Sequence, residues 1–167
     1  MDASATTQDL VSAIREQFAH LLASVDQLGE QATTLPVTPE GWTAKDVLAH
    51  LIHYAGQVAF ALGATLEPPP YVRKVQGRPS GDEWNALAVA HFRDWSLDEV
   101  RRELEQITLA IIERATMRTD DEMHSAGAVP WAPSVVLWQF IAGDTFLHWD
   151  IHTKAIEDAA RRNNADV

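Results

Sequence analysis

The amino-acid sequence predicts an all-α protein, and the arrangement it favours is a four-helix bundle. Four long segments carry apolar residues at intervals of three and four positions, the spacing of an amphipathic helix. Clusters of proline, glycine and polar residues separate these segments, and no stretch shows the alternation of a half-buried strand. Helices with one apolar face bury that face most simply against each other. We expect one domain over residues 1–167, with an ordered core from about residue 7 to 161.

The composition limits the classes of function. The net charge is −11 and no cluster of lysine and arginine occurs, so neither nucleic acid nor an anionic membrane is an expected partner. No apolar run approaches the ~20 residues of a membrane span, and the first residues lack the pattern of a signal peptide. We therefore expect a cytoplasmic protein. Because the chain has no cysteine, any metal must be bound by histidine, aspartate or glutamate.

The first two helices are predicted over residues 7–31 and 43–62. His20 falls off the apolar stripe of the first helix, so we expect it to be exposed. The second helix begins with a capping box, in which Thr43 is followed three residues later by Asp46. His50 lies at one edge of the apolar face of that helix. His53 points about 60° further from this face, and we expect it to be exposed as well.

The second half of the chain predicts three more helical segments. One begins near Asp82 and breaks at residues 95–96, where Ser96 and Glu99 form a capping box for the next. The last begins at Ser134 and continues to residue 161. The proline-rich residues 66–81 are predicted to be a loop, either a wall over a binding site or a simple connection. Residues 116–133 form a second loop, in which we expect an exposed His124.

Two histidines of the last helix lie four residues apart, at His148 and His152. Side chains at this spacing share one face of a helix, about 5–6 Å apart at Cβ, and can hold one metal ion together. They continue a stripe that contains Leu137 and Ile141, so they are predicted to face the interior. Histidines that are merely buried, or that lie on a solvated helix surface, are the alternative interpretation.

His50 is the candidate for a third ligand. Bundles build metal sites in the core from side chains on facing helices, and three neutral histidines would leave coordination positions open. Asp144, one turn before His148, is predicted either to bind the metal or to hydrogen-bond a ligand. We expect the remaining walls of the pocket to come from aromatic side chains, namely Tyr54, Trp138 and Trp149.

Two motifs resemble those of the DinB-like superfamily. Residues 41–51, GWTAKDVLAHL, are similar to its G-W-[ST]-x-x-[DE]-x-x-x-H-[LI] pattern, and residues 145–152, TFLHWDIH, resemble its last-helix motif. The resemblance covers about residues 10–160. Residues 84–86 and 96–99 are similar to the third-helix region of the branch that includes colibactin self-protection proteins.

The resemblance implies an up-down-down-up four-helix bundle that is often a homodimer. It also implies a divalent metal, commonly zinc or nickel, bound by His50, His148 and His152. Activities across the superfamily include mycothiol-dependent maleylpyruvate isomerisation, thiol transfer with mycothiol or bacillithiol, and hydrolytic self-protection. The mycothiol-dependent branch often uses an acid and then a histidine, which here would be Asp144 and His148. Whether Asp144 or His152 completes the site therefore stays open at this point.

Three hypotheses about function follow. The leading one is a metal-dependent enzyme, a hydrolase or a thiol-dependent transferase or isomerase, that activates water or a low-molecular-weight thiol against a small electrophilic substrate. The second is a protein that sequesters a small molecule without turnover, with a structural or vestigial metal. The third is a helical interaction protein that acts through its exposed faces. Turnover in a thiol-dependent assay separates the first hypothesis from the second.

Overall fold

Four long helices dominate the structure, a computed structural model that describes residues 5–66 and 79–165. These are α1 (Thr7–Leu28), α2 (Ala44–Ala61), α4 (Leu97–Thr116) and α7 (Phe146–Ala165), and three shorter helices are α3 (Gly81–His91), α5 (Asp120–Met123) and α6 (Leu137–Asp144). The described residues contain no strand, and the one isolated bridge pairs Ala126 with Val136. The predicted all-α class is therefore confirmed.

Side-chain contacts fix the directions of α1 and α7. Gln17 donates to Thr153 over 3.2 Å, and His20 lies 2.8 Å from Glu157. Later residues of α1 thus pair with later residues of α7, so the two helices are parallel. Both also bury apolar side chains against each other, including Trp149 of α7, which packs on Phe18 with ring centroids 5.6 Å apart.

The other two long helices run in the opposite direction. Arg101, early in α4, pairs with Asp26 late in α1, so α4 is antiparallel to α1. Lys45 at the start of α2 donates to the carbonyl of Trp95, just before α4. Arg118, just after α4, reaches the carbonyl of Leu62 at the end of α2. Helices α2 and α4 are therefore parallel, and the bundle has the expected up-down-down-up order.

Capping boxes set the starts of several helices. Thr43 and Asp46 bond reciprocally at α2, and Ser96 and Glu99 do the same at α4, so both predicted boxes are confirmed. Ser80 with Glu83 caps α3 in the same way. Each box satisfies backbone N–H groups of the first turn that have no partner inside the helix. The end of α2 is also determined by a neighbouring residue. Gly63 follows the helix with a φ of 79°, a left-handed conformation that glycine adopts readily and that ends a helix.

The prediction that His53 is exposed was wrong. Its side chain is buried, because α3 covers the face of α2 that the helical phase alone assigned to solvent. The imidazole stacks on Trp84 of α3 with ring centroids 4.9 Å apart, and its Nε2 lies 2.8 Å from the Gln57 amide. His124 is also more enclosed than expected, since it is half-buried and its Nε2 lies 2.8 Å from the Ala5 carbonyl.

The last predicted helix is divided in two. Helix α6 begins at Leu137 rather than Ser134, and Val136 precedes it without a side-chain cap. The backbone then leaves the helical conformation at Thr145, which has φ −122° and ψ −112°. The Thr145 hydroxyl is buried and donates to the carbonyl of Ile141 over 2.5 Å. This bond gives the buried hydroxyl a partner at the break. The first helix likewise ends at Leu28, and a 3₁₀ turn over Gly29–Thr33 follows.

Most of the proline-rich loop predicted over residues 66–81 lies outside the described residues. In the part of the chain that the structure describes, no helix combines the length and the apolar character needed to cross a membrane.

Candidate metal centre

Helices α2 and α7 bring three histidines together inside the bundle. The Nε2 atom of His148 lies 3.1 Å from Nε2 of His50 and 3.2 Å from Nε2 of His152. The three ring centroids form a nearly equilateral triangle with sides of 4.9, 4.9 and 5.0 Å. Among the described residues, these three are the group whose ligand atoms lie close enough together to hold a metal ion.

The distances suit a metal ion with nitrogen ligands. In a tetrahedral site with Zn–N bonds of about 2.0–2.1 Å, two ligand nitrogens are about 3.3 Å apart. The observed separations of 3.1 and 3.2 Å are close to this value. Imidazole is also a ligand that suits zinc and nickel. The histidine triad could therefore hold a divalent metal with little rearrangement.

Burial keeps the three imidazoles neutral, which is the form that binds metal. Together with smaller effects of the neighbouring His152 and His148, burial lowers the pKa of His50 to about 3. It lowers the pKa of His148 to about 4, with a smaller effect of His152. The pKa of His152 is also lowered by burial. Their nitrogen lone pairs are thus available near neutral pH without prior loss of a proton.

An acidic side chain from the loop before α2 acts on the same cluster. The Glu40 carboxylate raises the pKa of His152 and so opposes part of the effect of burial. Glu40 itself is exposed, and hydrogen bonds from its own backbone N–H and from Thr38 lower its pKa. It is therefore ionised at neutral pH and adds negative potential beside His152, which would favour a cation there.

Two aromatic rings pack against the histidines. Tyr54, one turn after His50, lies with its ring centroid 4.9 Å from both His50 and His148. The ring centroid of Trp42, directly before the cap of α2, lies 5.2 Å from that of His50. These rings enclose the cluster in apolar surface, which limits the access of water and strengthens electrostatic interactions inside the site.

Asn85 connects α3 to the site. Its Oδ1 accepts a hydrogen bond from the Tyr54 hydroxyl over 3.0 Å. Its side chain also makes a polar contact with His50 that partly offsets the lowering of the His50 pKa. The Nδ1 atom of His50 is buried and has no hydrogen-bond partner of good geometry among the described residues. Buried nitrogens are nearly always hydrogen-bonded, so this exception on the Nδ1 side of His50 calls for a functional explanation.

Asp144 is close to the site but is not part of the histidine group. Burial raises the pKa of its carboxyl to about 6. The pKa of Tyr54 is raised by burial and, to a smaller extent, by the charge of Asp144. The sequence interpretation placed Asp144 one turn before His148 on one uninterrupted helix. The break at Thr145 removes that relationship, because Asp144 ends α6 and His148 belongs to α7. Asp144 therefore lies outside the group of side chains that could hold the ion.

The two tryptophans predicted to line the pocket lie elsewhere. Trp149 is fully buried and packs on Phe18 between α1 and α7, so it belongs to the core. Trp138 is half-buried and makes its ring contact with His124. Tyr54 is the one predicted pocket residue whose ring lies against the histidines.

Three residues near the site were not assigned to it from the sequence: Glu40, Trp42 and Asn85. Trp42 and Asn85 were part of the motifs compared above, but no role was assigned to them. The sequence could have indicated Glu40 and Trp42, because they lie in the loop directly before the helix of His50, and that loop must be near one end of the site. No local pattern could identify Asn85, since its contact depends on how α3 packs against α2.

The fold and the site together define a helical bundle with a three-histidine group that could hold a metal ion. The chain belongs to the family of the mycothiol maleylpyruvate isomerase N-terminal domain, whose model matches residues 11–151. This match confirms the resemblance to the DinB-like superfamily that the sequence motifs indicated.

Two solved structures share the fold. A crystal structure of an uncharacterised protein from Escherichia coli UTI89 has a TM-score of 0.75 at 17% identity and covers 95% of both chains. A crystal structure of a protein from Streptococcus pneumoniae has a TM-score of 0.69 at 14% identity and covers 92% of this chain and 90% of that one. Among curated proteins, none matches this sequence.

Proposed function

We propose that this protein is a divalent-metal-dependent enzyme that activates water or a low-molecular-weight thiol for attack on a small electrophilic substrate. The observation that carries the proposal is the convergence of three histidine Nε2 atoms from two helices, with separations of 3.1 and 3.2 Å. A cluster of one buried and two half-buried imidazoles gains little stability without a cation, because each ring would rely on the others for hydrogen bonds. A shared metal ion accounts for the arrangement.

His50, His148 and His152 would hold the metal, most readily zinc or nickel. Three neutral ligands leave the double positive charge uncompensated, so the metal, when bound, would lower the pKa of a coordinated water or thiol. Three protein ligands also leave a coordination position open, which is the arrangement of a catalytic rather than a structural site.

The surrounding side chains would shape the reaction. Tyr54 and Trp42 would exclude bulk water from one side of the cluster through their ring contacts with His50. The Asp144 carboxylate, whose pKa burial raises to about 6, would accept a proton from the nucleophile at neutral pH and return it later. A group with a pKa near the working pH is suited to both steps.

The source of a thiol nucleophile would be a small molecule. The chain contains no cysteine, so it cannot supply a thiol of its own. The family name refers to mycothiol, and this is the reason to test mycothiol and bacillithiol first. A metal site open on one side could coordinate the sulfur of such a thiol and hold it as the thiolate.

The test is an activity assay on protein purified without a histidine tag. Metal-free protein and protein loaded with zinc or nickel are incubated with a panel of small electrophiles, with mycothiol, with bacillithiol and without thiol. We expect turnover that requires the metal and disappears in His152→Ala. Protein that binds neither metal, or metal-loaded protein without turnover on any electrophile, contradicts the proposal.

Sequestration of a small aromatic or reactive compound is the second candidate. The observation in its favour is the set of rings beside the cluster, where Tyr54 touches two histidines and Trp84 stacks on the buried His53. Such surfaces bind flat apolar ligands through their faces. Saturable binding without turnover, unaffected by a chelator, would favour this function over the enzyme.

A further inference from the structure

The His50 imidazole has one nitrogen directed at the cluster and one buried nitrogen without a well-formed hydrogen bond to any described residue. Its Nε2 lies 3.1 Å from His148, whereas its Nδ1 makes no hydrogen bond of good geometry with any described residue. If Nε2 binds a metal through its lone pair, the proton of the neutral ring must reside on Nδ1. Metal binding would thus create a buried N–H donor that needs an acceptor.

Asn85 lies near the same imidazole, because its amide bonds to Tyr54, whose ring centroid is 4.9 Å from that of His50. Its side chain also makes a polar contact with His50 that opposes the effect of burial on the His50 pKa. Its Oδ1 already accepts from the Tyr54 hydroxyl over 3.0 Å. A carbonyl oxygen has two lone pairs, so it can accept a second hydrogen bond. The Oδ1 atom of Asn85 can therefore accept a hydrogen bond from the Nδ1–H of His50 as well.

The position of Asn85 is fixed by the start of α3. The capping box of Ser80 and Glu83 sets the first turn of this helix. Gly81 lies beside Tyr54, since a Cβ added there would be in ordinary contact with the hydroxyl at 3.9 Å. Asn85 follows one turn later on the side that faces α2, where Tyr54 holds its amide. The contact with His50 therefore rests on packed helices rather than on a loop.

We propose that Asn85 is the positioning residue of the metal centre. Its Oδ1 accepts the hydrogen bond of His50 Nδ1–H when Nε2 binds the metal, and it keeps the bond from the Tyr54 hydroxyl. Histidine ligands generally donate their second ring N–H to an oxygen, which fixes the ring orientation and raises the basicity of the ligand. The inference rests on the proposed function in one respect, namely that a metal binds to these histidines.

Three variants separate this role from general packing. Asn85→Leu keeps the approximate volume and removes the acceptor, Asn85→Asp restores an acceptor, and Tyr54→Phe removes only the hydroxyl. Zinc affinity is measured on tag-free, metal-free protein by competition with a chromophoric chelator. We expect N85L to bind zinc about 10–100-fold more weakly, the range typical of lost partners of metal ligands. N85D should bind at least as tightly as the wild type, and Y54F within a few-fold of it.

Asn163→Leu is the matched control, because it removes the same amide from the far end of α7, where Asn163 bonds to Gln31. Its zinc affinity should equal that of the wild type. A second measurement does not depend on the folding of N85L. In the ¹⁵N NMR spectrum of the zinc-loaded wild type, the Nδ1–H of His50 should exchange slowly with solvent and show a cross-peak to the Asn85 side chain.

The outcomes distinguish the inference from the function on which it rests. Zinc-loaded wild type with an Nδ1–H that exchanges rapidly, or N85L with unchanged affinity, overturns the role of Asn85 and leaves the metal centre intact. Wild type that binds neither zinc nor nickel overturns the metal centre itself, and the role of Asn85 with it. Weak zinc binding by N85L that N85D restores supports the inference.

Discussion

The Nε2 atoms of His50 and His148 lie 3.1 Å apart, although 98 positions of sequence separate the two residues. The Nε2 atom of His148 is also 3.2 Å from Nε2 of His152, so it lies within hydrogen-bond distance of both other Nε2 atoms. This meeting depends on α2 and α7 packing in opposite directions in the interior of the bundle. The chemistry of the site is therefore a product of helix packing as much as of the histidine spacing.

Replacement of His148 by alanine should abolish metal binding. Two remaining histidines hold a cation far less well than three, and His148 is central to the group. We expect the metal content to fall from about one ion per chain to near zero, measured by atomic emission on tag-free protein. The stabilisation by added zinc, about 2.7 kcal/mol at a concentration of 100 times Kd, should disappear as well.

His20→Ala provides the control for that experiment. His20 is an exposed histidine of α1 that bonds to Glu157, away from the triad. Its removal should leave both the metal content and the stabilisation by zinc unchanged. Equal metal content in H148A and the wild type would contradict the assignment of the site.

Asp144→Asn should retain the metal. The three histidines form the group that could hold an ion, whereas Asp144 lies on the other side of the break at Thr145. Equilibrium dialysis against zinc should therefore give the wild-type stoichiometry for D144N and a large loss for His152→Ala. If D144N loses the metal and H152A retains it, the acid and not the second histidine of α7 completes the site.

The same D144N variant should be more stable than the wild type at neutral pH. Burial raises the pKa of Asp144 to about 6, so its ionised form is disfavoured in the folded protein. Because the folded pKa lies above that of the unfolded chain, the folded state is destabilised above pH 6 and recovers as pH falls towards 4. Urea unfolding of metal-free protein should show an advantage for D144N at pH 7.5 that shrinks at pH 4.

His53 should make the protein sensitive to acid. Burial against Trp84 lowers its pKa to about 4, below the ordinary value of 6.5. The unfolded chain therefore binds a proton at His53 before the folded protein does, and stability is lost as pH falls from 6.5 to 4. The decrease in the free energy of unfolding attributable to this residue is at most about 3.4 kcal/mol, given 1.36 kcal/mol per pKa unit.

His53→Gln tests this prediction. The uncharged amide keeps a polar group beside Gln57 but cannot be protonated in this range. The free energy of unfolding in urea should depend less steeply on pH between 6.5 and 4 in H53Q than in the wild type. Parallel curves for the two proteins would show that His53 does not titrate differently in the folded state.

Trp149→Ala should destabilise the bundle because it removes a core side chain, and not because it changes the pocket. The side chain is fully buried and packs on Phe18, so its loss leaves a cavity between α1 and α7. We expect a cost of about 3–5 kcal/mol in urea unfolding. Trp131→Ala is the control, because Trp131 is 48% exposed, and its cost should stay below about 1 kcal/mol. Similar costs for the two variants would contradict the core position of Trp149.

Local patterns predicted much of the fold because they act over a few residues. The capping boxes at Thr43 and Ser96 lie where the sequence indicated. Two of the predictions that failed assumed that one helix can be analysed alone. His53 was assigned to solvent because its helix was considered without α3, and Trp149 was assigned to the pocket although it faces α1.

The sequence by itself determined the helical class, the main helix starts and the pairing of His148 with His152, since periodicity and capping are properties of neighbouring residues. Only the tertiary structure decided what surrounds that pair. Packing of α2 against α7 brought in His50, the break at Thr145 separated Asp144 from the triad, and packing of α3 placed Asn85 beside His50. These relationships depend on the relative positions of whole helices, which no short stretch of sequence encodes.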